Sequence, residues 1–89
     1  YVSVQNTEAV MNDKLLRILK DGFLSVDMAQ NMLVIRTVSG MAMAVAVALD
    51  ALKWHEILGC IAGDDTIFCA VRNTEEAYEV MNKLNKIVK

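Results

Sequence analysis

The sequence is poor in the residues that interrupt or crosslink a chain: its 89 residues include no proline, four glycines and two cysteines. Because proline is absent and no low-complexity tract divides the chain, we expect one continuous small domain. Two cysteines are too few for a disulfide framework, which favours a reduced, cytoplasmic setting. Residues 1–6 are predicted to be a leader that need not be ordered, and residues 7–89 to be the domain.

Long hydrophobic runs and clustered positive charge are also missing. The longest apolar run, from Val38 to Leu49, contains Ser39 and Gly40 and is shorter than the ~20 residues that a membrane-spanning helix needs. No basic segment followed by a small-residue cleavage site opens the chain, so a signal peptide is not predicted. A formal net charge of −2 makes these residues alone a poor ligand for nucleic acid, which binds clustered Lys and Arg. We therefore expect no membrane partner and no direct contact with DNA.

Apolar residues, by contrast, are in excess, at 55% of the chain with a mean hydropathy of +0.34. A domain of this size leaves a large share of its surface exposed, so these residues outnumber the available core positions. Subunit interfaces resemble a domain core cut in half and can bury such an excess. The composition therefore predicts an oligomer.

Hydrophobic periodicity predicts three helices and four strands. The helices are predicted over Thr7 to Asp21, with Gly22 as the stop, over residues 40–53, and over Asn73 to Val88, with Asn73 as the cap. The strands are predicted over Phe23 to Met28, Met32 to Val38, Glu56 to Gly63, and Thr66 to Arg72. This α-β-β-α-β-β-α order predicts an α+β fold: a two-layer sandwich with the helices packed on an antiparallel-rich sheet.

The segment GMAMAVAVALDALK, residues 40–53, alternates large and small residues as a strand does. Its small residues are alanines, however, and both alanine and the length of the segment favour a helix. On a helix, Met43, Val47 and Asp50 share one stripe. Since Asp50 is the only charge before Lys53, we expect the sheet to cover one side of this helix and another subunit the other.

Two adjacent carboxylates, Asp64 and Asp65, lie in the otherwise apolar or small stretch GCIAGDDTIF, residues 59–68. The ordinary interpretation is a solvated turn, in which Asp side chains bind nearby backbone amides. In a tight loop, however, four residues would share a sheet face with the carboxylates and form a floor below them: Cys60, Ala62, Ile67 and Cys69. Gly63 could supply a bulge in this turn. The same register puts Cys60 opposite Cys69, where we expect two reduced, packed thiols rather than a disulfide.

The surroundings of the acidic pair narrow its chemistry. The DxDxDG spacing of a calcium loop is absent, and the histidine and cysteines lack zinc-ligand spacing, so no metal site is predicted. His55 lies in a connector and no nucleophile with a base is recognisable, so we expect no enzyme and assign no catalytic residue. A cationic ligand remains for Asp64, Asp65 and the third carboxylate, Asp50, and guanidinium fits best because it binds carboxylates bidentately. An exposed ion pair contributes only about 0–1 kcal/mol, so a second subunit must cover such a site.

GCIAGDDTIF resembles the GTIAGDDTIF signature of the C-terminal domain of bacterial arginine repressors. LLRILKDGFLSVDMAQNMLVIRT resembles that domain's first helix and hairpin, and RTVSGMAMAVAVALDAL its central helix, so the likeness covers nearly the whole chain from Lys14 onward. It implies a transcriptional regulator of arginine metabolism whose N-terminal winged helix-turn-helix domain, absent from these residues, binds operator DNA. It also implies trimers that stack into hexamers, with L-arginine as co-effector at the trimer–trimer interface and no other cofactor.

The resemblance also assigns ligand contacts residue by residue. They are Asp64 and Asp65 of the signature, Asp50 and Met43 on the helix, and the small residues Ala42, Cys60 and Ala62. Met43 stands where relatives carry a polar Gln or His, and Ser39 where they carry Pro. Because Met43 cannot hydrogen-bond a ligand strongly, a second hypothesis is a structural trimerisation module with lost or altered ligand specificity.

Overall fold

The computed structural model describes residues 13–88. The predicted leader and the start of the first predicted helix, residues 1–12, lie outside the described residues. Residues 13–22 are helical and are named α1. The elements that follow are β1 Phe23–Ala29, β2 Met32–Thr37, α2 Ala42–Leu52, β3 Ile57–Ala62, β4 Thr66–Val71 and α3 Thr74–Val88. The predicted element order and the α+β class are confirmed, and the ambiguous alanine-rich segment is a helix.

The four strands form one sheet in the order β1-β2-β4-β3, and each neighbouring pair is antiparallel. The helices α2 and α3 divide one face of this sheet between them, α2 lying mainly over β3 and β4, and α3 over β1 and β2. The core lies between the two layers, and its largest fully buried apolar side chains come from both: Leu19, Leu33, Ile35, Leu49, Ile67 and Leu84. None of the helices within residues 13–88 is long and apolar enough to cross a membrane.

The last helix begins as its sequence predicts. The backbone N–H of Glu76 donates to Oδ1 of Asn73 at 2.8 Å, so Asn73 caps the helix and satisfies one of its free amide groups. Acidic residues occupy the first turn and Lys86 the last, an arrangement that the helix dipole favours. On the side of α3 that faces the sheet, Ala77, Val80 and Leu84 are buried, and Met81 and Ile87 are half-buried.

Gly22 has a different role from the predicted one. It is the last helical residue of α1 rather than the residue after it, and its φ is not positive. A Cβ atom on Gly22 would lie 2.7 Å from Cγ2 of Val45 and 3.2 Å from Cε of Met41. The glycine is therefore required because α1 packs closely against α2, not because the backbone turns there.

The bulge considered for Gly63 is not where the sheet is irregular. The register shifts lie between Phe23 and Ser25 and between Ile57 and Gly59.

Gly22→Ala is expected to lower the free energy of unfolding by about 1–3 kcal/mol, the usual cost of overpacking a core. The added methyl group would displace Val45, which is completely buried. Urea unfolding followed by circular dichroism measures the change. Gly63→Ala is the matched control, because its added Cβ would meet only the Thr66 carbonyl oxygen at 3.7 Å. Equal effects of the two substitutions would contradict this explanation of Gly22.

Candidate functional site

The acidic loop, residues 63–65, is hydrogen-bonded to the start of α2. The backbone oxygen of Asp64 accepts an N–H bond from Gly40 at 3.1 Å and another from Ala42 at 3.2 Å. Met41, at the N-cap position, provides no side-chain cap, so the Asp64 carbonyl satisfies amide groups that the helix leaves free. Gly40 has a φ of 81°, a conformation that favours glycine and lets the chain turn from β2 into α2. The loop and the helix start therefore hold each other in place.

The two carboxylates of the loop have different surroundings. The Ser39 hydroxyl donates to Oδ2 of Asp64 at 3.3 Å, which keeps this carboxylate beside the start of α2. Oδ1 of Asp65 instead accepts from the Thr66 hydroxyl at 3.0 Å, and that hydroxyl accepts from Nη1 of Arg36 at 2.7 Å. Asp65 is thus linked through Thr66 to a cation of its own chain, whereas Asp64 lies on the helix side of the loop.

Arg36, the cationic residue of this hydrogen-bond chain, was not singled out by the sequence. It lies opposite Thr66 in the β2–β4 register, and it is 30 residues away from Thr66 in the chain. Only a prediction of which strands pair, and in which register, would have brought the two residues together. The two carboxylates of the acidic pair are therefore not equivalent, and the Asp64 carboxylate, which is not linked to Arg36, is the more available of the two for a ligand.

The outer surface of α2 carries the predicted stripe. Met43 is 68% exposed, Val47 is also exposed, and Asp50 completes the stripe two turns from the helix start. The opposite side of the helix is buried and consists of Ala42, Val45, Ala46, Ala48 and Leu49. The side chain of Ala42 therefore lies in the core, and its backbone amide is the group that reaches Asp64. We name the surface formed by Met43, Val47 and Asp50 the α2 stripe.

Asp50 lies at the far end of the α2 stripe from the acidic loop. Eight residues separate it from Ala42, which amounts to about 12 Å along a helix axis. Its negative charge instead favours the neutral form of the Cys60 and Cys69 thiols below the helix and so acts to raise the pKa of each. The described chain therefore does not bring Asp50 and Asp64 together at one point.

The predicted floor of small residues has the predicted register. Cys60 pairs with Cys69 and Ala62 with Ile67. Cys69 and Ile67 are buried, while Cys60 and Ala62, on the edge strand β3, are half-buried. All four are on the sheet face beneath α2 and belong to, or pack against, the core cluster. The floor thus lies under the helix and borders the exposed site only at its edge.

The carboxylates of the site lack a direct cationic partner in the described chain. No Lys, Arg or His within residues 13–88 forms a salt bridge with Asp50, Asp64 or Asp65. The same residues contain no group of three His, Cys, Asp or Glu side chains that could hold a metal ion. These carboxylates are therefore not neutralised by an ion pair within the described residues, and a guanidinium can engage a carboxylate through two parallel hydrogen bonds.

The sheet presents a second apolar surface on the side away from α2 and α3. Ile61 is 79% exposed and Phe68 is 51% exposed, and the two pair across β3 and β4. Their apolar neighbours on this surface, which we name the open sheet face, are Met32, Leu58 and Ala70. Exposed apolar patches of this kind mark interaction surfaces. The chain therefore has two apolar surfaces on opposite sides, the open sheet face and the α2 stripe.

Comparison with known proteins identifies the relatives of this chain. Residues 19–86 match the family model of the arginine repressor C-terminal domain. The chain is 57% identical over 88 residues to an arginine repressor of Lachnoclostridium phytofermentans, covering 99% of the chain and 58% of that protein. It is 56% identical over 89 residues to one of Lachnospira eligens and 43% identical to one of Ruminiclostridium cellulolyticum, each alignment covering all of the chain and 59% of the relative. The chain thus spans somewhat more than half the length of these relatives.

Proposed function

The chain belongs to the arginine repressor C-terminal domain family, and from that premise we propose that it is the effector-sensing and oligomerisation domain of a regulator of arginine metabolism. The relatives are named arginine repressors, which places the family among regulators of transcription rather than enzymes. The proposed co-effector is L-arginine, and the proposed assembly is a hexamer made of two trimers. Operator DNA would be bound in the cytoplasm by a domain outside these 89 residues.

The position of Asp64 carries this proposal. Its backbone is fixed to the start of α2 by two hydrogen bonds, its carboxylate has no salt-bridge partner within residues 13–88, and the exposed apolar Met43 lies on the same helix start. A charge-assisted hydrogen bond shielded from water contributes roughly 1.5–3 kcal/mol, several times an exposed ion pair. Covering the α2 stripe with a second subunit would supply that shielding.

The two apolar surfaces support two kinds of contact between copies of the chain. We assign the open sheet face to contacts within a trimer, because the five residues that define it are all apolar. We assign the α2 stripe to contacts between trimers, because it carries apolar side chains together with the candidate ligand groups. Asp50 lies about 12 Å along α2 from Ala42, whose backbone amide binds the Asp64 carbonyl, so the acids that meet one arginine are proposed to come from different subunits.

This arrangement couples ligand binding to assembly. Without a ligand, carboxylates of facing trimers lie close together and repel each other, and each bound arginine neutralises part of that charge. Coupling of this kind is reciprocal, so arginine stabilises the hexamer and hexamer formation raises the affinity for arginine. The apparent affinity for arginine is therefore expected to increase with protein concentration.

Asp64→Asn is expected to weaken L-arginine binding by about 10- to 150-fold, which corresponds to loss of one shielded charge-assisted hydrogen bond. Isothermal titration calorimetry on the wild-type chain and the variant measures this difference. L-citrulline, which is uncharged where arginine carries its guanidinium, should not bind measurably to either protein. Asp21→Asn, an exposed acid on α1, is the matched control and should bind arginine as the wild type does. Undiminished binding to Asp64→Asn would refute the assignment.

A structural trimerisation module with lost or altered ligand specificity is the second candidate. It is favoured by Met43, which is 68% exposed at the start of α2 and offers a ligand only a weak acceptor sulfur. Sedimentation velocity with and without L-arginine separates the two candidates. An arginine-dependent shift from trimer to hexamer supports the sensing domain, whereas a trimer that ignores arginine supports the structural module.

A further inference from the structure

The only two cysteines of the chain form a pair below α2. Cys60 on β3 lies directly opposite Cys69 on β4, and their sulfur atoms are 2.7 Å apart. Both are free thiols. A disulfide bond requires a sulfur separation of about 2.05 Å, so only a small movement of the side chains separates this pair from bonding distance.

The backbone at this position also suits a disulfide. The Gly63 N–H donates to the Thr66 carbonyl oxygen at 2.8 Å, which closes the β3–β4 hairpin with a hydrogen-bonded pair. In an antiparallel ladder, hydrogen-bonded and non-hydrogen-bonded pairs alternate. Counting three steps back along the regular register from this closing pair makes Cys60 and Cys69 a non-hydrogen-bonded pair. Their Cα atoms are then about 4.5 Å apart, inside the range that disulfides span.

The two thiols differ in accessibility and in acidity. Cys60 is half-buried on the edge strand, while Cys69 is completely buried. A hydrogen bond from the Cys69 thiol favours a thiolate at Cys60 and lowers the pKa of Cys60, against the opposing effects of burial and the Asp50 charge. The same hydrogen bond, together with burial, raises the pKa of Cys69. Because the thiolate is the nucleophile, Cys60 is the residue that reacts first and Cys69 the one that follows.

We propose that Cys60 and Cys69 are a redox-active pair that hydroperoxides oxidise to an intramolecular disulfide within the folded domain. The Cys60 thiolate attacks a peroxide oxygen, the O–O bond breaks, and a sulfenic acid forms at Cys60 while the hydroxide leaving group takes a proton to become water. The Cys69 sulfur then attacks the Cys60 sulfur, the S–O bond breaks, and the second oxygen leaves as water. Two thiols lose two electrons and two protons, and hydrogen peroxide is reduced to two molecules of water.

Mass spectrometry of the native chain after hydrogen peroxide treatment tests this proposal. We expect the tryptic peptide of residues 54–72, which holds both cysteines and no methionine, to lose the mass of two hydrogen atoms, with no cysteine left to react with iodoacetamide after unfolding and a monomeric band on a non-reducing denaturing gel. Dithiothreitol should restore the original mass of this peptide. A disulfide between chains, a gain of two or more oxygen atoms on one cysteine, or thiols that stay reduced would overturn the proposal.

Single serine variants test the order of attack. In Cys69→Ser the reaction should stop at the sulfenic acid of Cys60, which dimedone traps, because the second thiol is missing. In Cys60→Ser the buried Cys69 should react with peroxide about tenfold or more slowly than Cys60 does in Cys69→Ser. Equal rates for the two variants, or failure of dimedone to label Cys69→Ser, would show that the thiols do not act as a pair with Cys60 attacking first.

Discussion

Phe68→Glu is expected to convert the proposed oligomer into folded monomers. Phe68 lies in the middle of the open sheet face, on the interior strand β4, opposite Val34 of β2 and Ile61 of β3. It is 51% exposed in the single chain, so a charge there can remain in water when the chain is monomeric. In an assembly that covers the open sheet face, the same charge would be buried without a partner.

The magnitude follows from two contributions. Burying a Phe side chain stabilises an interface by about 1.5–3 kcal/mol, which the variant would lose. Burying an unpaired carboxylate adds a larger penalty. Since about 1.4 kcal/mol changes an association constant tenfold, each Phe68→Glu contact should weaken association by about a hundredfold or more, and a trimer contains several such contacts.

Sedimentation velocity measures the oligomeric state of this variant, and circular dichroism checks that it is folded. The matched control is Tyr78→Glu, which places the same charge on an equally exposed aromatic position of α3, 57% exposed and outside both apolar surfaces. The control should keep the wild-type mass. If Phe68→Glu stayed oligomeric, the open sheet face could not be the trimer contact. If Tyr78→Glu also became a monomer, the loss of mass would not be specific to that face.

The fold followed from local patterns in the sequence. Alanine content and length decided α2, the cap at Asn73 gave the start of α3, and the strand patterns gave every strand end to within one residue. These signals are local, because propensity and capping act over a few residues. Gly22 shows where local reasoning failed: a glycine near a helix end indicates a stop, whereas the structure requires it for contact with Val45, 23 residues later in the chain.

The sequence singled out the residues of the candidate site but not their arrangement. Short motifs pointed to the acidic loop and to the stripe of Met43, Val47 and Asp50, and the structure places both on the surface. The difference between the surroundings of Asp64 and Asp65 depends on Arg36 and Thr66, which are brought together only by the sheet register. Ala42 contacts the loop through its backbone, a role that no side-chain pattern can indicate. Contacts between distant segments were therefore the part that the sequence did not reveal.

The most buried charged residue of the described chain also depends on a contact between distant segments. Glu56 is 2% exposed, and Lys83, 27 residues away, donates from Nζ to its Oε2 at 2.6 Å. The Lys83 ammonium also lies 5.1 Å from the ring centre of Trp54. The ring of His55 is close on the other side, with Nδ1 3.5 Å from Oε1 of Glu56. Nothing in the sequence singled out this pair, yet it joins α3 to the start of β3.

Lys83→Ala is expected to lower the free energy of unfolding by about 2–3 kcal/mol at neutral pH. Removing one partner of a buried ion pair costs about 3–5 kcal/mol because the other charge stays buried and unpaired, and the partial exposure of Lys83, at 42% of its side chain, lowers that figure. Urea unfolding at fixed protein concentration measures the loss. Lys86→Ala, which removes an exposed lysine of the same helix, should change stability by less than about 0.5 kcal/mol.

The pH dependence of that loss tests whether Glu56 is its origin. The hydrogen bond from Lys83 holds the pKa of Glu56 below its ordinary value, although burial opposes the shift. A carboxyl with a lowered folded-state pKa stabilises the fold above its unfolded pKa, about 4.3 for Glu, and this contribution disappears as the pH falls through the folded value. The difference between wild type and Lys83→Ala should therefore shrink below about pH 4, and in a Glu56→Gln background it should be small at every pH. A difference that stayed constant down to about pH 3 would assign the effect to the packing of Lys83 on Trp54 instead.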